Sequence, residues 1–126
     1  KYQNSTLSRQ QIENYAEQIQ CLINIDKIHR DSRLTLPNLA KRIGVSQQIA
    51  SEVINRHFQL SFADFINSFR LKDAQEMLKD SQNFDRKIAT IAFECGYGTL
   101  SAFNTTFKKH TNLTPSEFKR KFSENN

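Results

Sequence analysis

The fold turns on one stretch and its echo: Ile91-Ala92-Phe93-Glu94-Cys95-Gly96-Tyr97-Gly98-Thr99-Leu100-Ser101-Ala102-Phe103, and earlier Leu39-Ala40-Lys41-Arg42-Ile43-Gly44-Val45-Ser46-Gln47-Gln48-Ile49-Ala50. Leu39-Ala40 aligns with Ile91-Ala92 and Ile43-Gly44 with Cys95-Gly96 at an offset of 52 residues. Past the glycine the offset becomes 53, pairing Ser46 with Thr99, Ala50 with Phe103, Ile54 with Phe107 and His57 with His110. One extra residue in the second turn accounts for the change. Each copy reads as a short helix, a tight turn at a glycine, and a second helix capped by a hydroxyl side chain.

Working outward, the spacing predicts a helix before each turn and a longer one between the copies. Thr35 caps a helix with Pro37 in its first turn and a buried stripe of Leu36, Leu39, Ala40 and Ile43. Ser46 caps the next, from Gln47 to about His57, with Ile49, Ala50, Val53 and Ile54 inward. A linker helix runs over about 62–79, where Ser61 to Asp64 forms a capping box and Phe62, Phe65, Ile66, Phe69, Ala74, Met77 and Leu78 are the buried positions. Asp85 is the expected cap of the first helix in the second copy, which carries Ile88, Ile91, Ala92 and Cys95. Thr99 caps its successor, with Ala102, Phe103, Thr106 and Phe107 inward. Thr114-Pro115-Ser116-Glu117 opens a last helix bearing Phe118 and Phe122. At the other end, residues 8–25 place Ile12, Tyr15, Ala16, Ile19, Leu22 and Ile23 on one face, behind a Ser8–Gln11 capping box.

The expected fold is therefore all-α. Two helix-turn-helix subdomains, at about 36–57 and 86–110, are joined by the linker helix and preceded by an extra N-terminal amphipathic helix. Composition agrees: Leu, Ile, Val and Phe make up about a quarter of the 126 residues, enough for a core, while three Gly, two Pro and only two Val disfavour a sheet protein. No apolar run is long enough to span a bilayer. Cys21 and Cys95 lie in apolar stretches with no metal spacing, and read as small buried hydrophobes of a reducing, cytoplasmic setting. The chain begins at Lys1, its only Met is Met77, and it is read as a piece of something longer.

Helix-turn-helix geometry holds the second helix of each copy proud of the surface, at a width that fits the major groove of B-DNA. Its outward residues are then the reading set: Gln47, Gln48, Ser51, Glu52, Asn55 and Arg56 in the first copy, and Leu100, Ser101, Asn104, Thr105, Lys108 and Lys109 in the second. Gln and Asn can bond adenine twice, Ser and Thr reach several base edges, and Leu100 can meet a thymine methyl. Arg56, Lys108 and Lys109 lie toward the helix C-termini, suited to phosphates. The net charge of +5 is in keeping with such a partner, and its excess concentrates past residue 84, where seven basic residues face four acidic ones. A linker of this length, roughly 26 Å at 1.5 Å per residue, suits two reading helices about one DNA turn, roughly 34 Å, apart.

The sequence resembles the DNA-binding domain of the AraC/XylS family of bacterial transcription regulators over Leu34–Lys121. The resemblance rests on Ile88-x-x-Ile91-Ala92-x-x-Cys95-Gly96-Tyr97, Ser101-Ala102-Phe103-x-x-x-Phe107-Lys108 and Thr114-Pro115-x-x-Phe118-Lys119-Arg120. The linker contributes Phe62-x-x-Phe65-Ile66-x-x-x-Arg70-Leu71-x-x-Ala74-x-x-x-Leu78. It implies seven helices in two lobes, with both recognition helices in successive major-groove segments. By position, Gln47, Gln48, Ser51, Glu52, Leu100, Ser101, Asn104 and Thr105 are the base-reading candidates, and Asn55, Arg56, Lys108 and Lys109 the phosphate candidates. Glu52 departs from the pattern, standing where many members carry Arg or another long polar residue, and Thr105 stands where Arg is frequent. Residues 1–33 are expected to lead from a sensor region outside this chain, a region that can be membrane-attached and can dimerise, and 122–126 to form a tail.

Two other classes compete. An enzyme would need Cys21 or Cys95 as nucleophile with His29, His57 or His110 as base, and no spacing unites them; no catalytic residue, metal, cofactor or small-molecule ligand is expected. A protein-interaction module, contacting RNA polymerase or a partner subunit, is the alternative to DNA reading, and RNA polymerase is also a candidate second partner.

Overall fold

Ser8 accepts a hydrogen bond from the Gln11 N–H while the Gln11 side chain accepts from the Ser8 N–H, and this reciprocal cap starts helix α1, Arg9–Asn24. The computed structural model describes residues 5–124, and its remaining helices are α2 (Leu36–Arg42), α3 (Gln47–Val53), α4 (Phe62–Lys79), α5 (Ile88–Glu94), α6 (Leu100–Thr111) and α7 (Pro115–Glu124). Among the described residues there is no strand. Short 3-10 turns occupy Ile28–Arg30 and Ser81–Asn83. The hydroxyls of Thr35, Ser46 and Thr99 accept from the third backbone N–H beyond them, satisfying donors that a helix start leaves unpaired. Thr114 and Glu117 complete a second reciprocal box.

The expected cap Asp85 does not serve. Lys87 occupies the cap position of α5 with no side-chain hydrogen bond, while the preceding turn is capped by Asp80. A carboxylate two residues too early cannot reach the first free N–H groups.

The chain forms two compact units. The first gathers the residues through Ile28 with Leu34–Asn67; the second gathers His29–Arg33 with the chain from Ser68 onward. In the first, α1 buries Ile12, Ala16, Ile19 and Ile23 and packs on α3 and the segment after it. α2 buries Leu39 and Ala40, α3 buries Ala50 and Val53, and the start of α4 adds Phe65 and Ile66. Past Val53 the helix widens into a π-helical stretch, Ile54–Phe58, that ends where Gln59 turns left-handed at φ 60°. Cys21, expected inside, is exposed: two residues from both Ile19 and Ile23, it falls on the face of α1 opposite their buried stripe.

The second unit is built on aromatic rings. Tyr97, Phe103, Phe107, Phe118 and Phe122 follow one another at centroid separations of 5.1, 5.4, 5.2 and 4.7 Å, over Leu71, Ala74, Leu78, Ile91, Ala92 and Cys95. Phe103 and Phe107 are fully buried, each stabilising by about 1.5–3 kcal/mol. Ala102, expected inside, is exposed.

The two turns share one hydrogen-bond pattern. Val45 and Tyr97 donate N–H to the carbonyls of Ala40 and Ala92, both at 3.0 Å, and Gly44 and Gly96 donate to Lys41 and Phe93, both at 3.2 Å. This is a Schellman ending, which needs a left-handed residue, and Gly44 and Gly96 have φ of 72° and 106°.

Candidate nucleic-acid interface

Helix α6 presents its predicted residues plainly. Burial of Phe103 and Phe107 fixes its roll, so Ser101, Asn104, Thr105, Lys108 and Lys109 are all exposed and Leu100 is 38% exposed. The helix closes at Asn112, left-handed at φ 65°, whose N–H bonds the Lys108 carbonyl at 2.8 Å. The Thr111 hydroxyl donates to the Phe107 carbonyl at 2.8 Å. Lys108 and Lys109 thus lie in the last turn, where the helix dipole favours cations. The α6 face combines amides and hydroxyls, able to meet base edges, with cations able to meet phosphates.

Helix α3 differs. Gln47 and Gln48 are exposed and Ser51 is half-buried, but Glu52, expected to point outward, is only 4% exposed. Its Oε2 accepts from the Ser5 hydroxyl at 2.5 Å and from Arg56 Nη1 at 2.7 Å. Glu52 is therefore removed from the base-reading set, because the segment ahead of α1 and the Arg56 guanidinium cover it. Arg56, a phosphate candidate, keeps 41% of its side chain exposed while holding that ion pair. Asn55, another, turns its amide back to donate to the Leu60 carbonyl at 2.7 Å, bracing the end of the π-helical stretch.

Beneath the second turn, Arg70 on α4 donates from Nε to the His29 carbonyl at 2.6 Å and from Nη2 to the Asp31 carbonyl at 3.0 Å. Asp73, one turn on, meets His29 Nε2 at 2.6 Å and Arg30 Nε at 2.9 Å. Burial alone would raise the Asp73 carboxyl, but the hydrogen bonds from His29 and Arg30 prevail and hold it below the usual carboxylate range. Burial lowers the Arg70 guanidinium and pushes the Cys95 thiol and the Tyr97 phenol each up to about 12. Arg86 pairs with Glu94, and Lys119 Nζ donates to the Arg86 carbonyl at 3.0 Å, so these cations support the fold.

Open clefts occur among the described residues of the first unit. One of about 330 Å³ is lined by Arg9, Ile12, Glu13, Arg56 and His57, and one of about 570 Å³ by residues of α1 with Arg42 and Ile43. No group of three metal-ligating side chains exists among the described residues, and no described helix is long and apolar enough to cross a membrane. Sequence reasoning missed Ser5 altogether, since its partner lies 47 residues away. The role of Arg70 was also unread, although the residue falls within the linker pattern.

A family model described as a helix-turn-helix domain matches residues 39–121. The chain belongs to this family, the AraC-type helix-turn-helix domains of DNA-binding transcription regulators. It is 29% identical over 91 residues to the uncharacterized regulator YijO of Escherichia coli, covering 72% of this chain and 31% of that protein. The chain thus spans about a third of the length of this curated relative. Among solved structures, it is similar to the C-terminal domain of the two-component response regulator yesN from Fusobacterium nucleatum, with a TM-score of 0.75 and 27% identity, over 84% of this chain and 98% of that one. It is also similar to the C-terminal domain of AraT, a response regulator from Geobacillus stearothermophilus, with a TM-score of 0.73 and 29% identity, over 93% and 88% of the two chains.

Proposed function

We propose that this chain is the output domain of a transcription regulator, and that it reads double-stranded DNA with α3 and α6 in successive major-groove segments. The observation that carries the reading is the exposed face of α6. Ser101, Asn104 and Thr105 stand free over a roll locked by two buried phenylalanines, with Lys108 and Lys109 behind them. The same turn ahead of α3 supports a second reading helix. Base contact is assigned to Gln47, Gln48, Ser51, Leu100, Ser101, Asn104 and Thr105, and phosphate contact to Arg56, Lys108 and Lys109.

These roles separate experimentally. Asn104→Ala is expected to cost about 1–3 kcal/mol on a preferred duplex and to relax preference at one position. Lys108→Ala is expected to weaken preferred and random duplexes alike and to reduce the salt slope by about one unit. Equilibrium titrations over a salt series measure both. Equal losses on both duplexes for both variants would reject the assignment.

A further inference from the structure

We propose that Ser5 is a positioning residue for the first recognition helix, acting through Glu52. Gln48, Glu52 and Arg56 follow one another at four-residue steps and so begin on one stripe of α3 and its extension. Gln48 and Arg56 are exposed, yet Glu52 between them is 4% exposed. The difference is local cover: the Ser5 hydroxyl and Arg56 Nη1 both donate to the same carboxylate oxygen. Ser5 is itself fixed, its oxygen accepting the Leu7 N–H at 3.2 Å. The segment ahead of α1 thereby hides an acidic group within the stripe assigned to DNA.

This arrangement matters because a carboxylate facing the duplex repels phosphate, whereas a carboxylate held by a hydroxyl and a guanidinium is locally neutralised. Arg56 spends one of its donors on Glu52 and keeps others for a phosphate. Releasing Ser5 frees Glu52 to turn toward the duplex and to draw Arg56 with it. The N-terminal segment and the reading helix are thus coupled, and movement of the first changes the affinity of the second. The inference rests on the DNA-reading role of α3 proposed above.

A double-mutant cycle in duplex affinity tests it, using the full 126-residue chain, a duplex selected from a random library, and a scrambled duplex. Ser5→Ala is expected to weaken binding to both duplexes about fivefold or more, the lower end of ordinary coupling between sites, and to reduce the salt slope by up to about one unit. In a Glu52→Gln background, where no charge can turn outward, Ser5→Ala is expected to have no effect on binding. Gln keeps the shape and can still accept from Arg56, and thermal melting of each variant separates a folding defect from a binding one. Unchanged affinity in Ser5→Ala, or an equal loss in the Glu52→Gln background, overturns the proposal while leaving DNA reading intact. Absence of salt-sensitive duplex binding by the parent chain overturns both.

Discussion

Gly44 and Gly96 occupy equivalent places in the two turns, yet their surroundings differ. A Cβ at Gly44 would meet nothing within 4 Å, so only its φ of 72° requires glycine. A Cβ at Gly96 would sit 2.3 Å from the His29 carbonyl oxygen and 2.8 Å from Arg70 Nε. Gly44→Ala is therefore expected to cost about 1–2 kcal/mol, the strain of a left-handed L-residue. Gly96→Ala adds about 1–3 kcal/mol of overpacking. Urea midpoints of the two variants measure the difference, and equal midpoints would contradict the close approach beneath the second turn. Asp73 is a second residue whose weight is predictable. Its folded pKa lies below its unfolded value, so its contribution is present above about pH 4 and is lost as pH falls through the lowered folded value. Arg30 is 43% exposed and screened by water, so Asp73→Asn is expected to cost about 1–2 kcal/mol at pH 7. That gap should shrink at pH 3. A gap that stays constant between the two pH values would show that the carboxylate charge is not what His29 and Arg30 hold.

At the scale of elements, α3 and α6 each start from a hydroxyl that caps them. Thr99→Ala is expected to destabilise the second unit by about 1 kcal/mol and to speed exchange of the Ala102 amide proton, which now bonds Thr99 Oγ1 at 3.1 Å. Unchanged exchange there would mean that the cap is dispensable. Caps of this kind were legible in the sequence because they act over three residues and need only a local pattern, as Ser8, Thr35, Ser46, Thr99 and Thr114 show. Helix periodicity also placed Phe103 and Phe107 inside and Asn104 outside, since both follow from one roll angle. Asp85 misled because helix α5 begins at Ile88, two residues later than a cap at Asp85 requires. Glu52 misled for a different reason. The periodicity of α3 assigns it to the outer stripe, but Arg56 and Ser5, the latter 47 residues earlier in the chain, both donate to its carboxylate and cover it. His29 belongs to the same class: it is buried and bonded to Asp73, 44 residues on. Local patterns carry roll and caps, whereas long-range polar pairs leave no periodic trace.

At the scale of the molecule, each unit carries one copy of the same device: a helix ended by a glycine in the left-handed region, then a capped helix with a polar outer face. The second copy exposes its whole predicted set, while the first has Glu52 withdrawn and Arg56 held beside it. Family membership establishes the helix-turn-helix class, and the proposed function assigns both helices to one DNA site. Binding-site selection from a random duplex library of about 30 base pairs, at near-physiological salt, tests that assignment most directly. Joint reading by α3 and α6 predicts enrichment of two short boxes about 10 base pairs apart, centre to centre. A single enriched box, or salt-sensitive retention with no enriched sequence, would contradict joint reading by α3 and α6.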